Sequence, residues 1–285
     1  MFTSTYALSG GTLRGRFVRH TLASRQLGDV RGVTVRLPDN YNPEKKYPVV
    51  YLQDGQNMFD SRRGFMGQEW QVDETVDRLA GRIPDALYVA VDNGEGRRLE
   101  EYTHVRDADY GGGKGENYEQ FFLKELVPAV EATYSTATER RFLVGSSLGG
   151  LVSLTMALNH PAAFAGVAAL SPSVWWADGQ LATQTLEGAV PAQRPKVWLD
   201  MGTEEGGSDA FGQRAISEKG RFSSRPQGAN GVQDVRDRTR EMGEALLQKG
   251  WTLDGDLRYH EPLGGTHTEG AWAARTGEVL SWMLT

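Results

Sequence analysis

Cysteine is absent from this chain of 285 residues, and histidine occurs only five times. Without cysteine there is no disulfide framework, no thiol nucleophile and no cysteine metal site. Lysine and arginine number 31 against 37 aspartates and glutamates, and the formal net charge of −6 argues against a nucleic-acid partner or an anionic membrane surface. No run approaches the roughly 18 apolar residues that span a bilayer. The composition therefore indicates a soluble globular protein.

Signals for export, metals and cofactors are also missing. Residues 1–6 lack the basic region and apolar core of a signal peptide. We therefore expect a cytoplasmic protein, although a secreted form without its signal would begin in the same way. No cluster of histidine, aspartate and glutamate has the spacing of a metal site, and no segment resembles a nucleotide-binding loop. We expect no metal and no cofactor, and nothing in the sequence indicates an oligomeric state.

The spacing of apolar segments predicts an α/β fold. Residues 12–20 and 31–37 alternate in the manner of antiparallel strands. Further strands are predicted at 47–52, 86–91, 141–144, 165–170, 196–201 and 257–261, and helices at about 69–80, 117–134, 151–158, 234–248 and 269–283. Pro128 should kink or break the second helix. Continuous apolar strands alternating with helices predict a mostly parallel sheet covered on both faces, in one domain over residues 1–285.

One segment does not fit this alternation. Residues 206–231 are rich in glycine, serine, arginine and glutamine, and they are long for a plain connection. The composition is compatible with a mobile lid over a site or with a disordered insertion, and the sequence does not choose between them.

The strongest functional motif is Gly-Ser-Ser-Leu-Gly-Gly at residues 145–150. It lies between the predicted strand 141–144 and the predicted helix 151–158. Glycines permit a sharp turn there, so that the hydroxyl of Ser147 projects above the sheet edge. A Gly-x-Ser-x-Gly between strand and helix is typical of the nucleophile elbow of α/β-hydrolases. We therefore predict Ser147 as a nucleophile, with Ser146 as the variable position of the elbow.

A serine nucleophile needs a base that takes its proton, and in α/β-hydrolases the chain order is serine, acid, histidine. His267 lies in a loop at 263–269, after the last predicted strand and before the last helix. Loops at the carboxyl ends of strands form the site in open α/β sheets. The other histidines are less suitable: His20 and His104 precede the serine, His160 ends the elbow helix, and His260 lies within a predicted strand. His267 is therefore the predicted base.

The acid that orients the histidine should follow the preceding strand, 196–201. The loop there contains two adjacent glutamates, and we predict Glu205, which is clear of the strand end, as the acid. Glu204, Asp200 and Asp209 remain alternatives. Asp200 can instead bond backbone groups at the strand end.

An oxyanion hole needs two backbone N–H groups aimed at the developing negative charge. Leu148 follows the nucleophile at the start of a helix, where N–H groups are free and the helix dipole is favourable. The second group should come from the loop at 53–60, after the strand 47–52. Gln56 is the predicted donor in that loop.

Four apolar residues are candidates for the substrate pocket. Trp175 and Trp176 follow a strand at its carboxyl end, where they can form an aromatic wall or pack in the core. Met58 and Phe59 lie beside the predicted oxyanion loop, where apolar residues more often belong to the core. The pair Arg97–Arg98 lies at the same edge and can attract an anion, but ion pairs with Glu100 or Glu101 are the expected role.

Residues 51–60 resemble the Asp-Gly-Gln-Asn-x-Phe-Asp segment of the Putative esterase family of α/β-hydrolases, which includes enterochelin, feruloyl and acetylxylan esterases, S-formylglutathione hydrolases and mycolyltransferases. Further matches are Val91–Asn93 with Arg98 and Glu101–Tyr102, the elbow, Ser171–Trp176, Asp200–Glu205, and Gly265–Glu269 with Trp272. The resemblance covers roughly residues 15–283. It implies Ser147 as nucleophile, Glu205 as acid and His267 as base. The long segment 206–231 departs from the pattern.

The sequence therefore predicts a serine carboxylic-ester hydrolase that forms an acyl-enzyme from a small or aromatic ester. A siderophore esterase and a thioester hydrolase are alternatives. A ferric siderophore would require several cationic groups at the site, and the sequence shows only Arg97 and Arg98 there. A non-catalytic binding module is the least favoured hypothesis, since serine, acid and histidine occur in the expected order.

Overall fold

The computed structural model describes residues 1–205 and 232–285. Its strands are β1 (Ser4–Leu8), β2 (Arg16–Ser24), β3 (Asp29–Leu37), β4 (Tyr47–Leu52), β5 (Leu87–Val91), β6 (Arg106–Asp107), β7 (Gly111–Gly112), β8 (Thr136–Ser146), β9 (Gly166–Leu170), β10 (Lys196–Asp200) and β11 (Leu257–His260). Its α-helices are α1 (Val72–Arg78), α2 (Arg98–Glu101), α3 (Gly115–Phe121), α4 (Val127–Thr133), α5 (Leu148–Asn159), α6 (Trp176–Glu187), α7 (Val232–Gln248) and α8 (Glu269–Leu284).

One nine-stranded sheet has the order β1-β2-β3-β5-β4-β8-β9-β10-β11. Its first strands are antiparallel, including β3 against β5. From β5 to β11 all neighbours are parallel. The predicted antiparallel start and parallel remainder are therefore confirmed. Because β3 runs against β5, the amino end of β3 lies at the edge where the parallel strands end.

The two faces of the sheet carry separate apolar layers. The pleat of β4 directs Val49 and Tyr51 to one face and Val50 and Leu52 to the other. The first face packs against α3, α4, α5, α6 and α7, and the second packs against α1 and α8. Every residue of β4 is buried, as expected of a strand covered on both sides. The predicted α/β class is confirmed.

The helical run around Pro128 is interrupted but not broken. A π turn at Phe122–Leu126 joins α3 to α4, and Pro128 lies at the start of α4. Proline has no N–H for the carbonyl four residues earlier, so the regular hydrogen-bond pattern cannot continue through it. The wider turn accommodates this mismatch.

Some elements differ from the sequence prediction. Helix α1 is shorter than residues 69–80, and strand β1 and helix α6 were not predicted. Three successive residues at the start of α6, Ala177 to Gly179, have positive φ, so this helix begins irregularly. The predicted lid or insertion at 206–231 lies outside the described residues. Within the described ranges, no helix is both long and apolar enough to cross a bilayer.

Candidate active site

Ser147 occupies a sharp turn between β8 and α5. Its backbone has φ 55° and ψ −126°, a combination that costs energy in a non-glycine residue. The turn is held by its amide, which donates to the carbonyl oxygen of Leu170 at 3.1 Å. A Cβ on Gly145 would lie 2.4 Å from the carbonyl oxygen of Gly149, and one on Gly150 would lie 3.0 Å from Pro172. These contacts explain why the turn requires glycines on both sides of the serine.

His267 and Glu205 contact each other across two loops. His267 Nδ1 lies 2.8 Å from Glu205 Oε2, and the glutamate side chain is fully buried. The loops themselves are joined by backbone bonds, including Glu204 N to Gly265 O at 3.0 Å. A Cβ on Gly202 would lie 2.3 Å from Gly265 O, so only glycine permits this close approach. The structure thus brings together the predicted base and the predicted acid.

The alternative acids lie elsewhere. Asp200 is buried and accepts hydrogen bonds from Ser171 N, Trp198 Nε1 and Arg275 Nη2 at 2.8–3.1 Å. Burial raises the pKa of Asp200 above its ordinary value, and the Arg275 guanidinium opposes this shift. Glu204 is exposed to solvent. Asp209 is outside the described residues. Asp200 therefore bonds groups at the strand ends, which the sequence analysis gave as its other role.

The hydroxyl of Ser147 contacts a second serine. Ser147 Oγ lies 3.4 Å from Ser173 Oγ, and Ser173 N donates to Ser147 O at 3.0 Å. Among the described residues, Ser147 Oγ has no hydrogen bond to His267. Both side chains nevertheless line the same cleft. A rotation about the Cα–Cβ bond of Ser147 moves its hydroxyl without any movement of the backbone.

The loop that contains Gln56 is held from the side by the segment after β5. Asp54 has a left-handed backbone with φ 55°, and its carboxylate accepts two bonds from Arg98, at 2.6 and 2.8 Å. Asn93 donates its side-chain amide to Asp54 and its backbone N–H to Gln56 Oε1. The first backbone hydrogen bond of the short turn runs from the N–H of Asn57 to Asp54 O. The N–H of Gln56 comes one residue earlier and therefore takes no part in the hydrogen bonds of the turn. Leu148 is likewise the first residue of α5, whose N–H has no partner within the helix.

A cleft of about 930 Å³ extends along this edge of the sheet. Ser147 lies at the end of β8, and Gly32 lies three strands away on β3. Neighbouring strands are about 4.8 Å apart, so the cleft is roughly 14 Å long between these residues. Other described residues that line it include Asp54, Gln56, Asn93, His267, Glu269 and Trp272. The space accommodates a substrate considerably larger than an acetate ester.

Arginines line this cleft in greater number than the sequence analysis expected: Arg31, Arg63, Arg97 and Arg98. Each is paired with a carboxylate. Arg31 contacts Asp29 and Glu101, Arg97 contacts the same two, and Arg63 contacts Asp92. The expected local pairing holds for Arg97 with Glu101 at 3.7 Å. It does not hold for Arg98, which bonds Asp54, 44 residues earlier.

The predicted pocket residues do not line the cleft. Met58 and Phe59 are 1% and 3% exposed and belong to the core on one face of the sheet. Trp176 is 1% exposed, and its indole N–H donates to Val105 O at 2.8 Å. Trp176 belongs to the core layer on the opposite face of the sheet, and Trp175 is half-buried against that layer. The apolar wall comes instead from a loop that the sequence analysis did not single out.

That wall consists of Phe65 and Met66, which are 49% and 81% exposed and line the cleft. Met66 has φ 53°, an unusual value for a residue with a side chain. Exposed apolar side chains beside a cleft are typical of ligand contact. The sequence signal was weak, because Phe65 and Met66 stand between glycines in a loop with no periodicity.

Glu269 is a further titratable group in the cleft. It begins α8, two residues after His267. Burial raises the pKa of Glu269 above its ordinary value, and the nearby His267 and Arg98 oppose the shift. A carboxyl group in this position adds to the polar character of the cleft.

The sheet and the elbow are those of the α/β-hydrolase fold, and the comparison with known families identifies the chain as a carboxylesterase. A family model described as "Putative esterase" matches residues 24–278. The chain therefore belongs to this esterase family, and the resemblance predicted from the motifs is confirmed.

The chain is also similar to proteins of known sequence or structure. The chain is 24% identical over 279 residues to the protein YbbA of Bacillus subtilis, and the aligned region covers 93% of this chain and 97% of YbbA. It is 29% identical over 189 residues to the ferri-bacillibactin esterase BesA of Bacillus subtilis, and the aligned region covers 58% of this chain and 61% of BesA. The siderophore hydrolase EstA of Aspergillus nidulans has a similar fold, with a TM-score of 0.70 at 19% identity over 97% of this chain and 99% of EstA.

Proposed function

We propose that this carboxylesterase hydrolyses esters through Ser147 as nucleophile, His267 as general base and Glu205 as the group that orients the histidine. The observation that carries the proposal is the 2.8 Å contact of His267 Nδ1 with Glu205 Oε2, in a cleft that Ser147 also lines. A carboxylate on Nδ1 keeps the proton there and leaves Nε2 free to accept one.

The reaction proceeds in two halves. Ser147 Oγ forms a bond to the ester carbonyl carbon while its proton passes to His267 Nε2. The tetrahedral intermediate then expels the alcohol, which takes that proton from His267 and leaves an acyl-serine. Water, deprotonated by His267, attacks the acyl carbon in the second half, and the acid departs as Ser147 regains its proton. The backbone N–H groups of Gln56 and Leu148 donate to the oxyanion in both halves.

In this mechanism, Ser147 exchanges one partner for another. Its hydroxyl is 3.4 Å from Ser173 Oγ before substrate binds, and it must reach His267 Nε2 for proton transfer. Catalytic hydrogen bonds are often long or incomplete in the absence of substrate. Substrate in the cleft favours the rotamer that faces His267, because this rotamer also aims the oxygen at the carbonyl carbon.

Replacement of the serine tests the proposal. Ser147→Ala should retain its circular dichroism spectrum and lose turnover of p-nitrophenyl acetate by at least about a thousandfold, since the covalent route is removed. A fluorophosphonate probe should label the wild type at Ser147, and Ser146→Ala should still be labelled. Unchanged hydrolysis by Ser147→Ala would exclude the proposal.

We propose an ester with an aromatic acyl or alcohol group as the substrate. The exposed rings and thioether of Phe65 and Met66 and the indole of Trp272 supply apolar contact in the cleft. The remaining wall is polar and carries matched ion pairs, which suits a substrate with several hydroxyl groups and no large net charge.

A siderophore ester is the second candidate. It is favoured by the number of arginines in the cleft and by the similarity to the ferri-bacillibactin esterase BesA. Hydrolysis of methyl ferulate, acetylated xylan and a catecholate triester, with and without iron(III), separates the candidates. A kcat/KM for the ferric triester at least tenfold above that for methyl ferulate would favour the siderophore.

A further inference from the structure

The hydroxyl of Ser171 contacts the carboxylate oxygen of Glu205 that His267 does not use. Ser171 follows β9, is 1% exposed and has a left-handed backbone with φ 44°. Its Oγ lies 2.5 Å from Glu205 Oε1, whereas His267 bonds Oε2. Gly202 N also donates to Oε1, at 2.8 Å. Both carboxylate oxygens are therefore bonded, and the group is fixed in one orientation.

The direction of the Ser171–Glu205 bond follows from the other partners of the hydroxyl. Trp272 Nε1 and Arg275 Nη2 lie 3.0 and 2.9 Å from Ser171 Oγ, and both atoms are donors only. A hydroxyl has two lone pairs and one hydrogen. Since the two N–H groups occupy the lone pairs, the hydrogen of Ser171 must point to Glu205. The bond thus requires Oε1 of Glu205 as acceptor, and the N–H of Gly202 donates to the same oxygen.

Arg275 brings the positive charge of this network. Its guanidinium is 8% exposed and also contacts Asp200 Oδ1 at 3.1 Å. By donating to Ser171 Oγ it polarises the O–H bond and strengthens the donation to Glu205, because chains of hydrogen bonds reinforce one another. Asp200 is bonded in turn by Trp198 and Ser171 N, so the arginine is held in place. Arg275 itself does not contact His267.

We propose that Ser171 is a positioning residue for this esterase, which fixes the Glu205 carboxylate and through it the His267 imidazole, and that Arg275 acts through Ser171. The inference rests on the proposed function, since it requires that Glu205 orients His267. Neither Ser171 nor Arg275 lines the cleft, so neither contacts substrate. Their effect is expected on kcat and on its pH dependence, and not on KM.

Loss of the Ser171 hydrogen bond should shift the pH dependence of activity in one direction. The Glu205 carboxylate then keeps more of its negative charge and holds a proton on the facing imidazole more strongly. A higher pH is needed to free the imidazole as a base. Other charged groups that face the pair are Asp200 and Arg275 behind Glu205, and Glu269 beside His267. They are unchanged in a Ser171 variant, so the shift reports the hydroxyl alone.

Ser171→Gly is the sharpest variant, because glycine accepts the positive φ and only the hydroxymethyl group is lost. We expect kcat for p-nitrophenyl acetate to fall by about tenfold, which corresponds to the net free energy of one hydrogen bond. The pH of half-maximal kcat/KM should rise by about half a unit or more, while KM changes less than about twofold. Ser153→Ala is the matched control, since Ser153 is fully buried in α5 and its Oγ has no partner among the described residues. It should retain the wild-type pH profile.

Variants of Arg275 provide a second test of the inference. Arg275→Met should raise the half-maximal pH in the same direction, and Arg275→Lys, which keeps the charge, should recover part of the shift. If Ser171→Gly does not fold, this comparison decides. A folded Ser171→Gly or Arg275→Met with an unaltered pH profile would refute the inference, even if its melting temperature were lower. Fluorophosphonate labelling of Ser147 tests the proposed function separately: labelling with no pH shift in either variant rejects only the role of Ser171.

Discussion

Asn93 donates its side-chain amide to Asp54 Oδ1 at 2.6 Å. The backbone N–H of the same residue donates to Gln56 Oε1 at 3.1 Å. Asn93 therefore holds the loop after β4 at two points, on either side of Gly55. A Cβ on Gly55 would lie 2.6 Å from the backbone of β5, so the loop lies directly against that strand. The position of the Gln56 N–H depends on the segment that follows the neighbouring strand.

We predict that Asn93→Ala lowers kcat by about 10- to 100-fold. An oxyanion donor must lie within a few tenths of an ångström of its productive position, and a misplacement of about 1 Å costs about a hundredfold. KM should change little, because the loop still lines the cleft. Steady-state kinetics with p-nitrophenyl acetate measures both constants.

Asn159→Ala is the control for this variant. Asn159 also donates its amide to a buried carboxylate, that of Glu119 at 3.0 Å, but it lies at the far end of α5. It should lose a similar amount of stability and retain kcat. A normal kcat in Asn93→Ala would contradict the role assigned to this clamp.

The candidate catalytic residues could be predicted from the sequence, because their order along the chain and their places at strand ends follow from the fold. Ser147 lies between a strand and a helix, and His267 follows the last strand, so topology alone places both at one edge of the sheet. Glu205 was preferred to Glu204 because it lies further from the strand end. The structure pairs Glu205 with His267 and leaves Glu204 exposed.

Contacts between distant segments could not be predicted. Arg98 has three glutamates within three residues, and only the fold reveals that Asp54 is its partner. Met58 is apolar and lies two residues after Gln56, the predicted oxyanion donor, so the sequence is compatible with a place in the cleft or in the core. Met58 is buried because a later segment of the chain folds back against it. In that segment, the N–H of Trp70 donates to Asn57 O and the N–H of Val72 donates to Met58 O.

The elbow glycines can be tested through stability. Gly145→Ala would place a Cβ 2.4 Å from the carbonyl oxygen of Gly149, and the backbone of a strand and helix start cannot move aside easily. We expect a loss of about 2–3 kcal/mol in the free energy of unfolding, measured by urea denaturation.

Gly277→Ala supplies the contrast. In helix α8 its Cβ would meet only Thr75 Cγ2, at an ordinary 3.6 Å. Alanine is a better helix former, so this variant should gain about 0.5–1 kcal/mol. Equal losses in the two variants would show that the effect is not specific to the elbow.

His104 predicts a pH dependence of stability. Both ring nitrogens are buried with no hydrogen-bond partner among the described residues, and burial lowers the pKa of His104 from 6.5 to about 4, against the attraction of Glu119. Between pH 6.5 and about pH 4, His104 is therefore protonated in the unfolded chain and neutral in the folded chain. The stability that this residue contributes is complete above pH 6.5 and is lost as pH falls towards 4, by at most about 1.4 kcal/mol per unit.

Denaturation of wild type and His104→Leu at pH 7 and pH 5 measures this contribution. The wild type should lose more stability than the variant between the two pH values. His260→Gln, at an exposed position at the end of β11, should behave as the wild type. A slope unaltered by His104→Leu would disprove the assignment.

The apolar wall of the cleft predicts a selective effect on larger substrates. Phe65→Ala and Met66→Ala each remove an apolar side chain that lines the cleft and lies outside the proposed catalytic groups. Loss of about 1 kcal/mol of apolar contact should raise KM for methyl ferulate by about fivefold. Methyl acetate has no aromatic group that could contact this wall, so its KM should change less than about twofold, and kcat should be preserved for both esters. Leu263→Ala is the matched control, because Leu263 is 95% exposed and does not line the cleft. If the wall variants affected both substrates equally, or neither, Phe65 and Met66 would not form a subsite for an aromatic acyl group.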